Sequence, residues 1–262
     1  MTDTRQVGQL ADQLAVARAR IEALESRKVP YTAEELALFK SPQISLPPSP
    51  KPVKSAPRPA TVTVPAAAGS PPPAKVAVAT GTLAAEAQRA FGERRFTEAE
   101  AKYAAALNLD DKNVFTLSNL AATQLEQNKL AEAEATLKRA LSADPNDAYT
   151  LSLLGLLKFR QSKFDEALDS LSRSAQLDPK NAQTQNYLGM ALTQKSQRSA
   201  AETAFRKAVQ LSPNYAEAHY NLAVFYLSQQ PPSKELAKWH YQKATSAGLG
   251  RNADFEKTLS QD

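Results

Sequence analysis

Four alanines stand 34 residues apart, at Ala99, Ala133, Ala167 and Ala201. Prolines keep the same step at Pro145, Pro179 and Pro213, and leucines at Leu120, Leu154, Leu188 and Leu222. Small residues do so at Ala87, Ala121, Gly155, Gly189 and Ala223. A fixed period of this length marks a stack of helix–turn–helix units. One such unit is too small to bury its own apolar face, so each must lean on its neighbours. The period therefore predicts an all-α fold for residues 80–262.

The recurring residue types have physical reasons. Small side chains fall where two helices cross closely, since a bulky one would force the axes apart. The runs LDDKN, ADPND, LDPKN and LSPNY end each second helix, because proline cannot continue a helix and opens the next turn. Asp110, Asp144, Asp178 and Ser212 are expected to cap or order that turn through their side-chain oxygens.

These positions carry a family resemblance. The second repeat reads Leu117, Leu120-Ala121, Leu125, Ala133-x3-Leu137, Ala140 and Pro145. The third reads Leu151, Leu154-Gly155, Phe159, Ala167-x3-Leu171, Ser174 and Pro179. The fourth reads Leu188-Gly189, Leu192, Ala201-x3-Phe205, Ala208 and Pro213. The pattern resembles the tetratricopeptide (TPR) repeat. The resemblance implies a right-handed superhelical solenoid of about five helix pairs, over about 80–113, 114–147, 148–181, 182–215 and 216–249. The first pair has Asp111 where the proline is expected.

The fifth repeat departs from register. From Ala201 to Ala237 is 36 residues, and Pro231-Pro232 predicts a longer turn between its two helices. Gly248 and Gly250 then stop the second helix. Asn252 is expected to open a capping helix within 250–262, with Phe255 and Leu259 on one side, closing the end of the stack.

Two further segments precede the repeats. In residues 1–40, Val7, Leu10, Leu14, Ala17, Ile21 and Leu24 alternate steps of three and four, the seam of a short coiled coil. Residues 5–27 are thus a candidate for homo-oligomerisation. Pro30 stops that helix, and Thr32 with Glu35 forms a capping box for a short second one. Residues 41–79 hold 11 of the chain's 17 prolines, four basic residues and no acidic one. This composition predicts a disordered, semi-extended linker. Its PPSPKP segment resembles a polyproline ligand, with a plain spacer as the simpler reading. The order of coiled coil, proline-rich tether and C-terminal repeats resembles bacterial envelope coordinators associated with the Tol machinery, in architecture only.

The net charge of +5 does not point to nucleic acid. Residues 1–40 are balanced, the linker supplies +4, and residues 80–262 carry 22 basic against 21 acidic side chains. A nucleic-acid footprint concentrates on a folded face. The chain has no cysteine, which removes disulfides and thiolate metal sites. No stretch reaches the ~18 apolar residues of a membrane span. Without a signal core after Met1 the expectation is a cytoplasmic protein. If Met1 replaces a removed signal peptide, it becomes the periplasm or cell envelope.

No catalytic constellation is visible. The two histidines, His219 and His240, lack acidic partners at ligand-like spacing and are expected to pack or lie on the surface. There is no phosphate loop, dinucleotide turn or nucleophile elbow. The reading is a non-enzymatic chain with no cofactor and no metal.

The resemblance implies that the first helix of each pair lines an inner groove. Stepping along those helices picks the residues not used by the repeat pattern: Phe115 and Asn119; Tyr149, Leu153 and Leu156; Asn186, Tyr187 and Met190; Tyr220, Asn221 and Val224. Aromatic anchors give contact area, and amides can donate to and accept from a peptide backbone. Some co-chaperones of the family clamp a carboxylate with cations from three repeats. Here only Asn119 matches, while Ala84, Tyr149 and Leu153 fill the other places, so that ligand is disfavoured. The expectation is a scaffold that binds an unknown protein or peptide. The alternative is an assembly subunit of a larger complex, self-associating through its N-terminal helix.

Overall fold

The computed structural model describes residues 74–260, with side chains from 78 onward. The coiled-coil seam and the bulk of the proline-rich stretch lie outside the described residues. All regular structure among the described residues is α-helical. The helices are α1 (Ala74–Gly92), α2 (Phe96–Leu107), α3 (Val114–Glu126), α4 (Leu130–Ala143), α5 (Ala148–Arg160) and α6 (Phe164–Leu177). They continue with α7 (Ala182–Gln194), α8 (Arg198–Leu211), α9 (Ala216–Leu227), α10 (Lys234–Ser246) and α11 (Ala253–Ser260). Helix α1 begins at Ala74, ahead of the expected boundary at 80.

The described residues fall into two compact units, 74–187 and 188–260. In the first unit successive helices from α1 to α6 pack on one another, and α3 also touches both α1 and α5, so the first helices of successive pairs form one layer. One core cluster joins Ala87, Ala90, Ala99, Tyr103, Leu107, Leu117 and Leu120. A second joins Ala121, Leu125, Ala133, Leu137, Leu153, Leu156 and Leu157. In the second unit α9 packs on α8 and α10, and α10 meets α11.

The repeat register has direct steric meaning. A β-carbon on Gly155 would run into Leu171, and one on Gly189 would lie 2.6 Å from Cδ1 of Phe205. Leu171 and Phe205 each stand four residues after the recurring alanine. The large residue of the second helix thus occupies the space that the small residue of the first leaves open.

The turns inside the pairs also repeat. Arg94, Asn128, Ser162 and Ser196 all have φ near +60°: 61°, 59°, 60° and 59°. The residue after each donates its N–H back into the helix just ended, as Lys129 does to Gln124 O at 2.9 Å. In the fifth pair, residues 228–233 replace this three-residue turn, as the offset and the two prolines predict.

The turn aspartates order their loops rather than cap helices. Asp144 Oδ1 accepts from Asn146 N at 2.9 Å, and Asp178 Oδ1 from Lys180 N at 3.1 Å. Capping falls three residues later, to Asn113, Asp147 and Asn181. They accept from the N–H of Thr116, Thr150 and Thr184 at 3.0, 2.7 and 3.0 Å.

Candidate functional site

In the unit 74–187, three first helices present the candidate face. From α3 come Phe115, 42% exposed, and Asn119, whose amide donates to Phe115 O at 2.8 Å. From α5 comes Tyr149, half-buried and leaning on the second core cluster. From α7 comes Tyr187, half-buried on the same cluster, its hydroxyl accepting from Gln183 Nε2 at 2.6 Å. Every side chain on this face is neutral.

Three residues expected on the face lie inside instead. Leu153 and Leu156 are 2% and 6% exposed and belong to the core, and Asn186 is 1% exposed. Helix α5 is apolar nearly all round, LSLLGLLKF, because it packs on α4, α6 and α3. Its leucines close the gaps between helices, and Tyr149 is left half-buried in its first turn.

In the unit 188–260, Met190 and Asn221 are half-buried, and Val224 is 41% exposed. Tyr220 does not face open space. Phe255 of α11 covers its ring with centroids 5.4 Å apart, and Asn252 Nδ2 donates to its hydroxyl at 3.5 Å. The C-terminal helix forms where expected. Asn252 Oδ1 accepts from Phe255 N at 3.0 Å, Leu259 is buried, and Tyr241 donates to Glu256 Oε1 at 3.0 Å.

A buried hydroxyl ladder, absent from the repeat pattern, runs behind the face in the unit 74–187. Ser118 Oγ lies 2.6 Å from Thr150 Oγ1, and Thr184 Oγ1 donates to Ser152 Oγ at 3.0 Å. Ser174 Oγ joins at 3.1 Å from Thr184 and donates to Ala148 O at 2.7 Å. The signal was an Asx-x-x-Thr at Asn113, Asp147 and Asn181, again 34 residues apart.

Electrostatics give no sign of acid–base machinery on this face. Glu134 on α4 has its carboxyl held down at about 2, first by the Gln161 amide and then by Lys138 and Lys158. At Glu100, burial raises the carboxyl but Lys129 and Gln127 outweigh it, leaving it below its ordinary value. These are ties between helix pairs. Burial alone pushes the Tyr103 phenol up. Among the described residues no three His, Asp or Glu side chains gather as metal ligands. No described helix is long and apolar enough to cross a membrane. A recess of about 360 Å³ between the Pro213-Asn214 turn and Trp239 holds one cation, Lys243.

His219 and His240 pack, and neither lies on the surface: they are 4% and 0% exposed, and their Nδ1 atoms are 2.9 Å apart.

Comparison with known proteins agrees with this geometry. Residues 90–157 match the tetratricopeptide repeat family, and residues 189–230 match a TPR repeat of the same kind. No curated protein matches the sequence. Among solved structures, a thermophilic TPR protein of Thermus thermophilus superposes with a TM-score of 0.60 at 20% identity, covering 70% of this chain and 97% of that one. The structure from the functional characterization of Pseudomonas aeruginosa pilF gives 0.59 at 19% identity, covering 70% and 82%. Both likenesses concern the fold. Residues 90–157 and 189–230 are TPR repeats.

Proposed function

We propose that this TPR-bearing chain is a non-enzymatic interaction scaffold that holds a neutral peptide segment against the first-helix face of residues 74–187. The observation that carries the reading is the alignment of Phe115, Tyr149 and Tyr187 on three successive first helices, with Asn119 between them and no charged side chain among them. Rings of this kind give contact area at little entropic cost, and an amide reads a peptide backbone by donating and accepting. The absence of charge selects against acidic tails and favours apolar residues in the bound segment.

The test is affinity capture with the full chain from its source cell, read against variants. Phe115→Ala with Tyr149→Ser removes two rings while leaving the Leu153–Leu157 core intact. Truncating a true anchor costs ~2 kcal/mol or more, so the specific partner is expected to disappear. It is expected to persist when Lys51, Lys54, Arg58 and Lys75 are all changed to Gln. The reverse outcome places binding in the basic tether and overturns the reading.

A further inference from the structure

The last helix pair contains a polar knot that the repeat pattern does not call for. His219 on α9 and His240 on α10 meet Nδ1 to Nδ1 at 2.9 Å, and His219 Nε2 lies 3.0 Å from the carbonyl oxygen of Pro213. A carbonyl only accepts, so Nε2 of His219 carries a hydrogen and donates. In the neutral ring its Nδ1 is then a lone pair, which accepts from Nδ1–H of His240. The geometry therefore assigns both tautomers. One bond ties α9 to α10, and the other ties α9 to the turn after α8.

The surroundings are aromatic. Tyr226 stacks on His240 with centroids 5.5 Å apart, and Trp239 meets His240 edge-on at 4.6 Å. Charged and titratable groups lie on each element packed around the knot. From α8, Glu202 Oε1 accepts from the Tyr226 hydroxyl at 2.9 Å, and Arg206 reaches that hydroxyl at 3.4 Å. At the turn, the backbone N–H of His219 donates to the Tyr215 carbonyl at 3.1 Å. From α10, Lys243 sits 4.9 Å over the Trp239 ring. From α11, Glu256 is engaged by Arg251 and Tyr241.

This arrangement has room for one extra proton and not for two. With one, a hydrogen still bridges the Nδ1 atoms and the contact survives. With two, both Nδ1 atoms carry hydrogens aimed at each other across 2.9 Å, and two cations lie side by side out of water. We propose that the His219–His240 pair is an acid-sensitive latch, which holds α10 on α9 near neutral pH and releases it when both rings become charged.

The direction follows from proton counting. Free imidazoles titrate near ~6.5. Below that pH the open form takes up two protons and the closed form at most one. Well below that pH, each further unit then favours opening about tenfold where the closed form holds one proton, and up to about a hundredfold where it holds none. The latch's stabilisation is full above ~6.5 and is lost as the pH falls.

Hydrogen exchange on the full chain at pH 7.2 and pH 5.2, corrected for intrinsic rates, tests this. Amides of 216–246 are expected to lose protection at least tenfold at the lower pH, while those of 114–143 hold. Emission from Trp239, the chain's only tryptophan, is expected to change with the same midpoint. His240→Phe keeps a ring against Tyr226 but cannot bridge, so its 216–246 protection should no longer differ between the two pH values. Equal protection of wild-type 216–246 at both pH values overturns the proposal, as does an unchanged acid transition in folded His240→Phe. If that variant does not fold, histidine-ring NMR on the wild type decides. Final proton uptake coinciding with loss of protection supports the latch, and uptake independent of it overturns the latch.

Discussion

Gly189 and Phe205 occupy one another's space: a β-carbon on the glycine would sit 2.6 Å from the ring's Cδ1 and 2.7 Å from Cε1. The ring is 3% exposed and makes a tilted contact with Phe225 at 6.0 Å, so it has little freedom to retreat. Gly189→Ala is expected to destabilise the unit 188–260 by ~1–3 kcal/mol through overpacking. Gly189→Ala with Phe205→Leu should recover part of that loss. Thermal melts of the single and double variants measure both.

The left-handed turn residues are a reservoir of stability. Serine at φ 60° or 59°, as at Ser162 and Ser196, carries a β-carbon in a conformation that costs roughly 1–2 kcal/mol and that glycine adopts freely. Ser162→Gly and Ser196→Gly should each raise the denaturation midpoint, by up to ~1 kcal/mol after glycine's greater unfolded-state entropy is subtracted. Ser162→Val should lower it. Urea unfolding decides the sign.

The period and the small–large complement were legible in the sequence because they repeat at one spacing and rest on volume. The positions read as a face were less so. Phe115 is exposed and Tyr149 and Tyr187 are half-buried, whereas Leu153, Leu156 and Asn186 are buried. A first helix packed on three neighbours has no polar side from which to tell inner from outer apolar residues. Tyr220 was misplaced for another reason. Its cover is α11, and no repeat position predicts where an end helix will lie. The His219–His240 contact is 21 residues apart in sequence, outside any helical spacing, and only the docking of α9 on α10 brings it about.

Asp147 caps α5 and also accepts from the Thr150 hydroxyl, which lies against Ser118. Asp147→Ala should therefore cost more than a simple cap. About 1 kcal/mol comes from the cap and ~1–3 more from polar groups left short of partners. Asn113→Ala provides the comparison: its Thr116 hydroxyl also bonds the cap at 3.0 Å, but no partner hydroxyl is described beyond it. Chemical denaturation of the two variants should rank Asp147→Ala as the more damaging.

The tie between α4 and α5 has a defined pH window. The Glu134 carboxyl is held at about 2 by Gln161, Lys138 and Lys158, below an ordinary value of 4.5. A group depressed on folding stabilises above its unfolded value and loses that contribution as the pH falls through the folded one. Its contribution is thus full at neutral pH and fades between about 4.5 and about 2. The carboxylate is partly open to water, so the effect is modest, under ~1 kcal/mol. Glu134→Gln should lower stability at pH 7 and make a much smaller difference at pH 2. Melting curves at the two pH values test it, and the window is separate from that of the histidine pair.

The hydroxyl contacts between Ser118 and Thr150, and between Thr184 and Ser152, each span 32 residues. Arrays of repeats commonly lose their end units first, since each unit answers only to its neighbours. Here a departing pair also breaks a hydroxyl contact across the interface, each worth ~0.5–1.5 kcal/mol, which strengthens the coupling between neighbouring pairs. Fraying at one end therefore weakens the next pair, and residues 114–187 should melt as a single block, with no plateau for a part-unravelled array.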